Sequence, residues 1–272
     1  MEIDKLFSVE GKVALITGGS RGIGKMIAQQ LRENGATVYI ASHPMDEEEN
    51  IKTAQEIQCN PLNVDVTNVN SIKQMVKDLQ KSEDHIDILV NNAGTCFDTP
   101  LKDIKRKDWQ YIIDLNLKSV FFVTQKLLYM LLKNATPENR SSVINIGSIS
   151  GLENVGVNHN GAAYFAAKSG QHFLSKVLAG DLVQNCINVN TIAPGPTETG
   201  ILGRKGIDYD RDMYMKQLNP SGRFAEAEDI GAAVILLSST AGSYIAGETL
   251  AIDGGLIASS HHSNDWITNE SS

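Results

Sequence analysis

Short apolar runs of strand length alternate along the chain with longer segments of helical periodicity. Strands are predicted at Lys12–Thr17, Thr37–Ala41, Ile86–Val90, Ser142–Ile146, Ile187–Ile192 and Thr249–Ile252. Helices are predicted around Met26–Leu31, Ser71–Lys81, Trp109–Lys133, Ala163–Val183 and Ala227–Leu237. Apolar strands that are separated by helices form parallel sheets covered on both sides. The pattern therefore predicts an α/β fold, with a single doubly wound, Rossmann-type parallel sheet and helices on both faces.

The chain carries no low-complexity linker and no internal repeat that would divide it. We therefore expect one domain over residues 1–258, followed by a polar C-terminal tail, 259–272, that projects or packs on a neighbouring subunit. The segment Gly200–Arg223 is an irregular, charged insertion. Its Met213-Tyr214-Met215 sequence suits a mobile lid or a plain amphipathic helix equally well.

Composition narrows the class of protein. The 272 residues are 42% hydrophobic and 21% charged, which is typical of a globular chain. A net charge of −8 without a basic block argues against binding to nucleic acid or an anionic membrane. No apolar stretch reaches the length of a membrane span, and Met1–Lys12 lacks the features of a signal peptide. Three cysteines without a Cys-x-x-Cys pair, and an isolated His261-His262, favour a cytoplasmic protein with no metal site.

A glycine-rich turn lies between the first predicted strand and the first helix, in Thr17–Gly24. Glycines there permit a tight turn, close approach of backbone to a phosphate and tight helix–strand packing. The following helix N-terminus offers free amides to a pyrophosphate. The turn therefore predicts a dinucleotide site that includes Gly18, Ser20, Arg21, Gly22, Ile23 and Gly24.

The end of the second strand bears on which dinucleotide binds. Sites for NAD carry an acid about 20 residues after the turn, where it binds the ribose hydroxyls. Here Ser42 and His43 occupy that place, and Asp46 comes later, in an acidic run. We therefore predict NADP(H), with its 2′-phosphate bound by Arg21, Ser42 and His43. In the alternative, Arg21 is solvated and Asp46 turns toward the ribose of NAD.

Tyr164 and Lys168 are four residues apart and share one face of a predicted helix. A nearby ammonium stabilises a phenolate, so Lys168 is expected to lower the pKa of Tyr164 from its usual value of about 10. Tyr129 and Lys133 have the same spacing but no serine-ended strand before them, so we interpret them as an ordinary helix face. Ser148 ends the strand before Tyr164, at the sheet edge where ligands bind.

Five further motifs occur in order: Asp65-Val66, Asn91-Asn92-Ala93-Gly94, Asn116, Pro194-Gly195-Pro196-Thr197-Glu198-Thr199 and Asp253-Gly254-Gly255. Together with the glycine turn and the Ser–Tyr–Lys set, they make Gly11–Gly255 resemble the short-chain dehydrogenase/reductase family. The resemblance is strongest to 3-oxoacyl-(acyl carrier protein) reductases and microbial NADPH-dependent carbonyl reductases.

The resemblance implies a role for each motif. Ser148, Tyr164, Lys168 and Asn116 would be catalytic, with Tyr164 as proton donor and Asn116 holding a relay water. Cofactor contacts would come from Asp65, Val66, Asn92, Ala93, Gly94, Tyr164, Lys168, Pro194, Gly195, Thr197 and Thr199. One departure is the long Ser148–Tyr164 spacing, whose loop holds Asn154, Asn158, His159 and Asn160 and is expected to enlarge or reshape the substrate wall. Ser150 is the rival for the serine role.

The expected function is reduction of a small ketone by NADPH in a homotetramer. Alternatives are an NAD-linked alcohol or sugar dehydrogenase, or a cofactor-sensing protein without catalysis. A carrier-bound substrate would need a basic surface, and Lys105, Arg106 and Lys107 supply only a small one. His172, one turn after Lys168, is expected to serve packing or an interface.

Overall fold

Seven parallel strands form a single sheet in the computed structural model, which describes residues 2–97, 99–154, 161–197 and 219–259. The strands are β1 Val13–Thr17, β2 Thr37–Ser42, β3 Asn60–Asn63, β4 Ile88–Asn91, β5 Ser141–Ile146, β6 Ile187–Pro194 and β7 Thr249–Ile252. Their spatial order is β3-β2-β1-β4-β5-β6-β7. The order reverses between β1 and β4, so a crevice for ligands lies there at the carboxyl ends of the strands.

Helices cover both faces of the sheet. They are α1 Ile3–Leu6, α2 Gly22–Glu33, α3 Glu47–Glu56, α4 Val69–Leu79, α5 Arg106–Ile113, α6 Ser119–Lys133, α7 Ala162–Leu182, α8 Ala227–Ser238 and α9 Leu256–Ser259. Successive strand residues face opposite sides: Leu15 packs in one buried cluster and Ile16 in the other. The first cluster contains residues of α4, α6 and α7, and the second contains residues of α2 and α8. This two-sided burial explains why the strands other than the edge strand β3 are rich in apolar residues.

The predicted doubly wound α/β sheet is confirmed, with three differences in its elements. The edge strand β3, of sequence Asn-Pro-Leu-Asn, was not predicted because it is polar and contains a proline. The helix α3 was not predicted because its residues are mostly polar. The predicted span Trp109–Lys133 is helical throughout, but a π-helical turn at Asp114–Lys118, which was not predicted, divides it into α5 and α6.

Several sequence predictions lie outside the described residues. They concern Thr199, the loop residues Asn158, His159 and Asn160, Met213-Tyr214-Met215, and the tail residues from 260 onward, including His261-His262. Among the helices of the described residues, none is both long enough and apolar enough to cross a bilayer.

Candidate active site

Tyr164 and Lys168 lie on the first turns of α7, beside the carboxyl end of β5. Lys168 is almost completely buried, with 4% of its surface exposed. Its Nζ donates a hydrogen bond of 2.6 Å to the carbonyl oxygen of Ile146, the last residue of β5. The same Nζ lies 5.7 Å from the centroid of the Tyr164 ring. The helix therefore presents the phenol and the amine side by side, as the spacing predicted.

Ser148 lies two residues after the end of β5 and completes this group. It is buried, and its hydroxyl forms a hydrogen bond with the phenol of Tyr164. The peptide N–H of Ser150 donates to Ser148 Oγ over 3.1 Å. Ser150, the rival for the serine role, thus contacts Ser148 through its backbone, whereas Ser148 contacts the phenol.

The electrostatics of the pair differ from the expectation that Lys168 lowers the pKa of the phenol. Burial raises the pKa of Tyr164 to about 12, although the hydrogen bond from Ser148 opposes this rise. Burial also lowers the pKa of Lys168 to about 7, because an ammonium loses hydration away from water. The phenol therefore holds its proton firmly, and the amine exchanges its proton near neutral pH.

Asn116 lies in the π-helical turn between α5 and α6, and its side chain is buried. Its Nδ2 donates to the carbonyl oxygens of Thr95, at 2.9 Å, and Ile112, at 3.0 Å. Its Oδ1 accepts from the peptide N–H of Thr95 at 3.3 Å. The side chain thus ties the helix to the segment after β4. Irregular π turns of this kind are frequent at functional sites.

The glycine turn between β1 and α2 forms a close-fitting cradle. Gly18 has a φ of +65°, which favours glycine. At Gly24, a Cβ would overlap the carbonyl oxygen of Gly18. Asn92 braces the turn, since its Nδ2 donates to the carbonyl oxygens of Thr17, at 2.9 Å, and Gly18, at 3.0 Å. Ser20 is buried in the turn, and Gly22 and Ile23 begin α2. The amides of this helix N-terminus therefore face the crevice beside β1 and β4.

Arg21 is paired in a way that sequence reasoning missed. Its two terminal nitrogens donate to Asp46 Oδ1, at 3.0 Å, and Oδ2, at 2.9 Å. Both side chains are partly exposed, so the ion pair lies at the rim of the crevice. Ser42 is buried, and its Oγ has no hydrogen-bond partner among the described residues. His43 is exposed, and its Nδ1 accepts from the peptide N–H of Met45 at 3.2 Å.

The remaining motifs line the same edge of the sheet. Asp65 Oδ1 accepts from the hydroxyl of Thr67 at 2.6 Å, and the adjacent Val66 is buried. The peptide N–H of Ala93 donates to Thr17 Oγ1 at 3.1 Å, and Gly94 lies so close to Asn116 that a Cβ would be 2.6 Å from its Oδ1.

The Pro194–Thr197 segment meets the closing turn of the chain. Gly195 donates its N–H to Ile252 O at 2.8 Å, and Thr197 Oγ1 donates to Gly195 O at 3.0 Å. A Cβ at Gly195 would lie 2.7 Å from the Cα of Asp253, so the two turns pack directly. The structure therefore brings this motif to the carboxyl end of β6, beside β5 and its serine.

A largely apolar cleft opens beside the Tyr164 ring, and most of its walls were not identified from the sequence. Its lining residues are Phe97, Thr99, Ile104, Asp108, Trp109, Ile112, Gly161, Ala163 and Tyr164. Phe97 also stacks on Tyr111, with ring centroids 6.0 Å apart. The only available signal was the spacing of Trp109 and Ile112, which lie on one face of α5.

The second Tyr–Lys pair lies far from this group. Tyr129 is 70% exposed on α6. Lys133 forms an ion pair of 2.8 Å with Asp84 on the surface. Within the described residues, no group of three or more His, Cys, Asp or Glu side chains is arranged to hold a metal ion.

Comparisons with known proteins extend over nearly the same span as the motifs. The family described as enoyl-(acyl carrier protein) reductase matches residues 18–257. A rhamnolipids biosynthesis 3-oxoacyl-(acyl carrier protein) reductase of Pseudomonas aeruginosa is 38% identical over 92% of this chain and 97% of that protein. A gluconate 5-dehydrogenase of Gluconobacter oxydans is 32% identical over 93% of this chain and 98% of that protein.

The solved structures agree with these relatives. The Pseudomonas aeruginosa RhlG/NADP active-site complex superimposes with a TM-score of 0.84 at 37% identity, over 93% of this chain and 98% of that chain. Because the family match and the relatives cover almost the full length, an accidental likeness of fold is excluded. The chain therefore belongs to the short-chain dehydrogenase/reductase family and is an oxidoreductase.

Proposed function

We propose that this enzyme reduces a ketone with NADPH and that Tyr164 is the proton donor. The observation that carries the proposal is the hydrogen-bonded group of Ser148 and Tyr164 with Lys168 alongside, at the same sheet edge as the glycine cradle. The 3-oxoacyl reductase relative and the NADP-bound neighbour support both the reaction and the cofactor.

The residues present fit a dinucleotide phosphate. The cradle at Gly18 and Gly24 has no room for side chains, as close approach of a pyrophosphate to backbone amides requires. The Oγ of Ser42, which has no hydrogen-bond partner among the described residues, and the guanidinium of Arg21 are the groups that would receive a 2′-phosphate. Arg21, Ser42 and His43 would bind that phosphate, and Asp65 and Val66 would contact the adenine.

The nicotinamide end would bind nearer the catalytic group. Asn92, Ala93 and Gly94 would form the crevice floor beside the adenosine. The segment Pro194, Gly195, Thr197 and Thr199 would hold the carboxamide. When bound, NADPH supplies the hydride that reduces the ketone carbon.

The chain's own residues supply the other half of the reaction. Tyr164 donates its phenolic proton to the ketone oxygen as the carbonyl becomes an alcohol. The hydroxyl of Ser148 donates a hydrogen bond to the same oxygen and stabilises the negative charge that develops there. The hydrogen bond that Ser150 donates to Ser148 Oγ keeps this hydroxyl oriented.

Lys168 and Asn116 would restore the proton that Tyr164 gives up. With its pKa lowered to about 7, Lys168 both gains and loses a proton readily at neutral pH. Its bond to the carbonyl oxygen of Ile146 fixes the amine beside the phenol. Asn116 would hold a water that connects Lys168 to solvent.

The cleft beside Tyr164 favours a ketone with an apolar substituent. Phe97, Ile104, Trp109 and Ile112 give it apolar walls. A gluconate-type substrate is a hydroxylated anion, and the carboxylate of Asp108 in the described part of the wall would repel it. The exposed Lys102, Lys105, Arg106 and Lys107 lie near the cleft mouth but form a surface too small to specify a carrier protein. The substrate proposed is therefore a small apolar ketone. Compounds of the 3-oxoacyl type, named for the relative, serve for comparison.

The enzyme is further proposed to act as a homotetramer in the cytoplasm. Large apolar side chains are exposed on α6 and α7, among them Tyr129 and Phe173, with Phe173 71% exposed. Exposed apolar patches of this kind mark contact surfaces. Strand β7 ends the sheet, so a further contact would form there. Cys59, Cys96 and Cys186 form no disulfide in the structure, which suits a reducing compartment. Light scattering of the purified full chain measures the assembly; a monomeric mass would contradict the tetramer.

The function is tested with a panel of ketones and alcohols, assayed with NADPH and with NADH. The panel contains short apolar ketones, a 3-oxoacyl thioester and 5-oxogluconate. Faster reduction of apolar ketones with NADPH than with NADH supports the proposal. A preference for NADH with 5-oxogluconate favours the sugar dehydrogenase instead. NADPH binding without turnover of any compound favours a cofactor sensor and contradicts the proposal.

A further inference from the structure

His172 connects the catalytic helix to the strand end that carries Ser148. It lies on α7, one turn after Lys168, and only 6% of its surface is exposed. Its Nε2 accepts a hydrogen bond of 3.3 Å from the peptide N–H of Ser148. The ring thus contacts the backbone of Ser148, and the hydroxyl of Ser148 contacts the phenol of Tyr164.

Two glycines shape the space that this ring occupies. A Cβ at Gly147 would overlap Nε2 of His172 and lie 2.8 Å from its Cδ2. A Cβ at Gly151 would lie 2.8 Å from Cε1 of the same ring. The backbone before and after Ser148 therefore lies close to the imidazole, on the Cδ2 and Cε1 sides of Nε2. Because the two glycines lack side chains, the ring packs directly against the backbone on both sides of Ser148.

The hydrogen bonding also defines the state of the imidazole. Since Nε2 accepts a hydrogen bond from the peptide N–H of Ser148, the ring is neutral and its own proton is on Nδ1. That Nδ1 is buried and has no partner in the described part of the chain. Burial, and then the charges of Lys168 and Lys176, lower the pKa of His172 to about 4. A buried donor without a partner costs free energy, so a residue of this kind calls for an explanation other than packing.

We propose that His172 is a positioning residue, which holds the peptide N–H of Ser148 and thereby fixes the serine hydroxyl opposite Tyr164. This inference rests on the proposed function, because it assigns His172 to the same reaction. His172 touches neither the phenol nor the ketone, and it acts through Ser148. Interpreting His172 as a packing residue alone leaves its bond to Ser148 unexplained.

The test compares replacements that keep or remove an acceptor at the position of Nε2. Glutamine places its Oε1 near that position, whereas asparagine places its oxygen near Nδ1 and leucine provides no acceptor. His172→Leu and His172→Asn are expected to lower kcat about 10- to 100-fold, with KM and NADPH affinity little changed. His172→Gln is expected to recover most of that loss. Ser175→Ala is the control, because it removes buried hydrogen bonds of 2.8 Å that join α7 to Asn145 of β5 and to Thr191 of β6 and that do not involve Ser148.

A double-mutant cycle shows whether His172 acts through Ser148. In a Ser148→Ala background, His172→Leu is expected to cause less than a twofold further loss of kcat. An equal loss with and without Ser148 would overturn the inference and leave the proposed function intact. A kcat loss in Ser175→Ala as large as in His172→Leu would overturn it too. If the leucine variant does not bind NADPH, the glutamine–asparagine comparison decides, and equal activity of those two contradicts the inference.

Discussion

Arg21→Ala removes the guanidinium that we assign to the 2′-phosphate of NADPH, and it leaves the backbone of the glycine turn in place. A hydrogen bond to a charged group contributes about 1.5–3 kcal/mol. Binding the phosphate also breaks the exposed pair with Asp46, which costs about 0.2–1 kcal/mol. The net loss in the variant is about 1–2 kcal/mol. Because about 1.4 kcal/mol corresponds to a factor of ten, we expect the Kd for NADPH to rise about tenfold.

Replacing Asp46, the ion-pair partner of Arg21, should have the opposite effect on NADPH binding. Asp46→Ala frees the guanidinium, so the Kd for NADPH should fall about two- to fivefold. Fluorescence titration with NADPH and NADH measures both effects, and NADH affinity should change less than twofold in either variant. Lys25→Ala is the control, since Lys25 lies on α2 one turn after Arg21 and forms an ion pair with Glu56 of α3. An equal loss of NADPH and NADH binding in Arg21→Ala would refute the assignment, because the guanidinium would then act on a part that both cofactors share.

Two further changes test the buried amine and the glycine cradle. Folding lowers the pKa of Lys168 from 10.5 to about 7. Between about pH 7 and pH 10.5, Lys168 is therefore protonated in the unfolded chain and neutral in the folded chain. The free energy of unfolding should therefore rise by about 2 kcal/mol from about pH 7 to about pH 9. Thermal unfolding at a series of pH values measures this rise, and Lys168→Met should abolish it. Equal slopes in both proteins would contradict the burial of a neutral amine. Gly24→Ala should weaken NADPH binding at least about tenfold in equilibrium dialysis, because the added Cβ overlaps the backbone of the turn. Gly180→Ala is the control and should not weaken binding, since open space surrounds Gly180. Unchanged binding in Gly24→Ala would mean that the phosphate lies elsewhere.

The fold and the grouping of Ser148, Tyr164 and Lys168 could be predicted because their signals are local in the sequence. Alternating apolar runs give the sheet, and a spacing of four places Tyr164 and Lys168 on one helix face. The position of Ser148 at a strand end is likewise a local feature. These features require no knowledge of which elements meet in space.

The rest depended on contacts between distant segments. The pair of Arg21 with Asp46 forms only because the segment after β2 folds back over the glycine turn. The contact of His172 with Ser148 depends on missing side chains at Gly147 and Gly151, which helical periodicity does not reveal. The π turn at Asp114–Lys118, which contains Asn116, lies within a stretch whose apolar pattern looks like one regular α-helix. The raised pKa of Tyr164 follows from burial, whose extent a sequence does not give.

Tyr164→Phe tests the central claim most directly, because it removes one hydroxyl and keeps the ring that lines the cleft. Loss of a general acid lowers turnover by about 10²- to 10⁴-fold. Single-turnover reduction of an active ketone, with NADPH already bound, should therefore slow at least about 100-fold. NADPH affinity should stay within about threefold, and Tyr129→Phe, at the exposed tyrosine of the second pair, should react at the normal rate. A Tyr164→Phe enzyme that reduces the ketone within about tenfold of the wild-type rate would contradict the account.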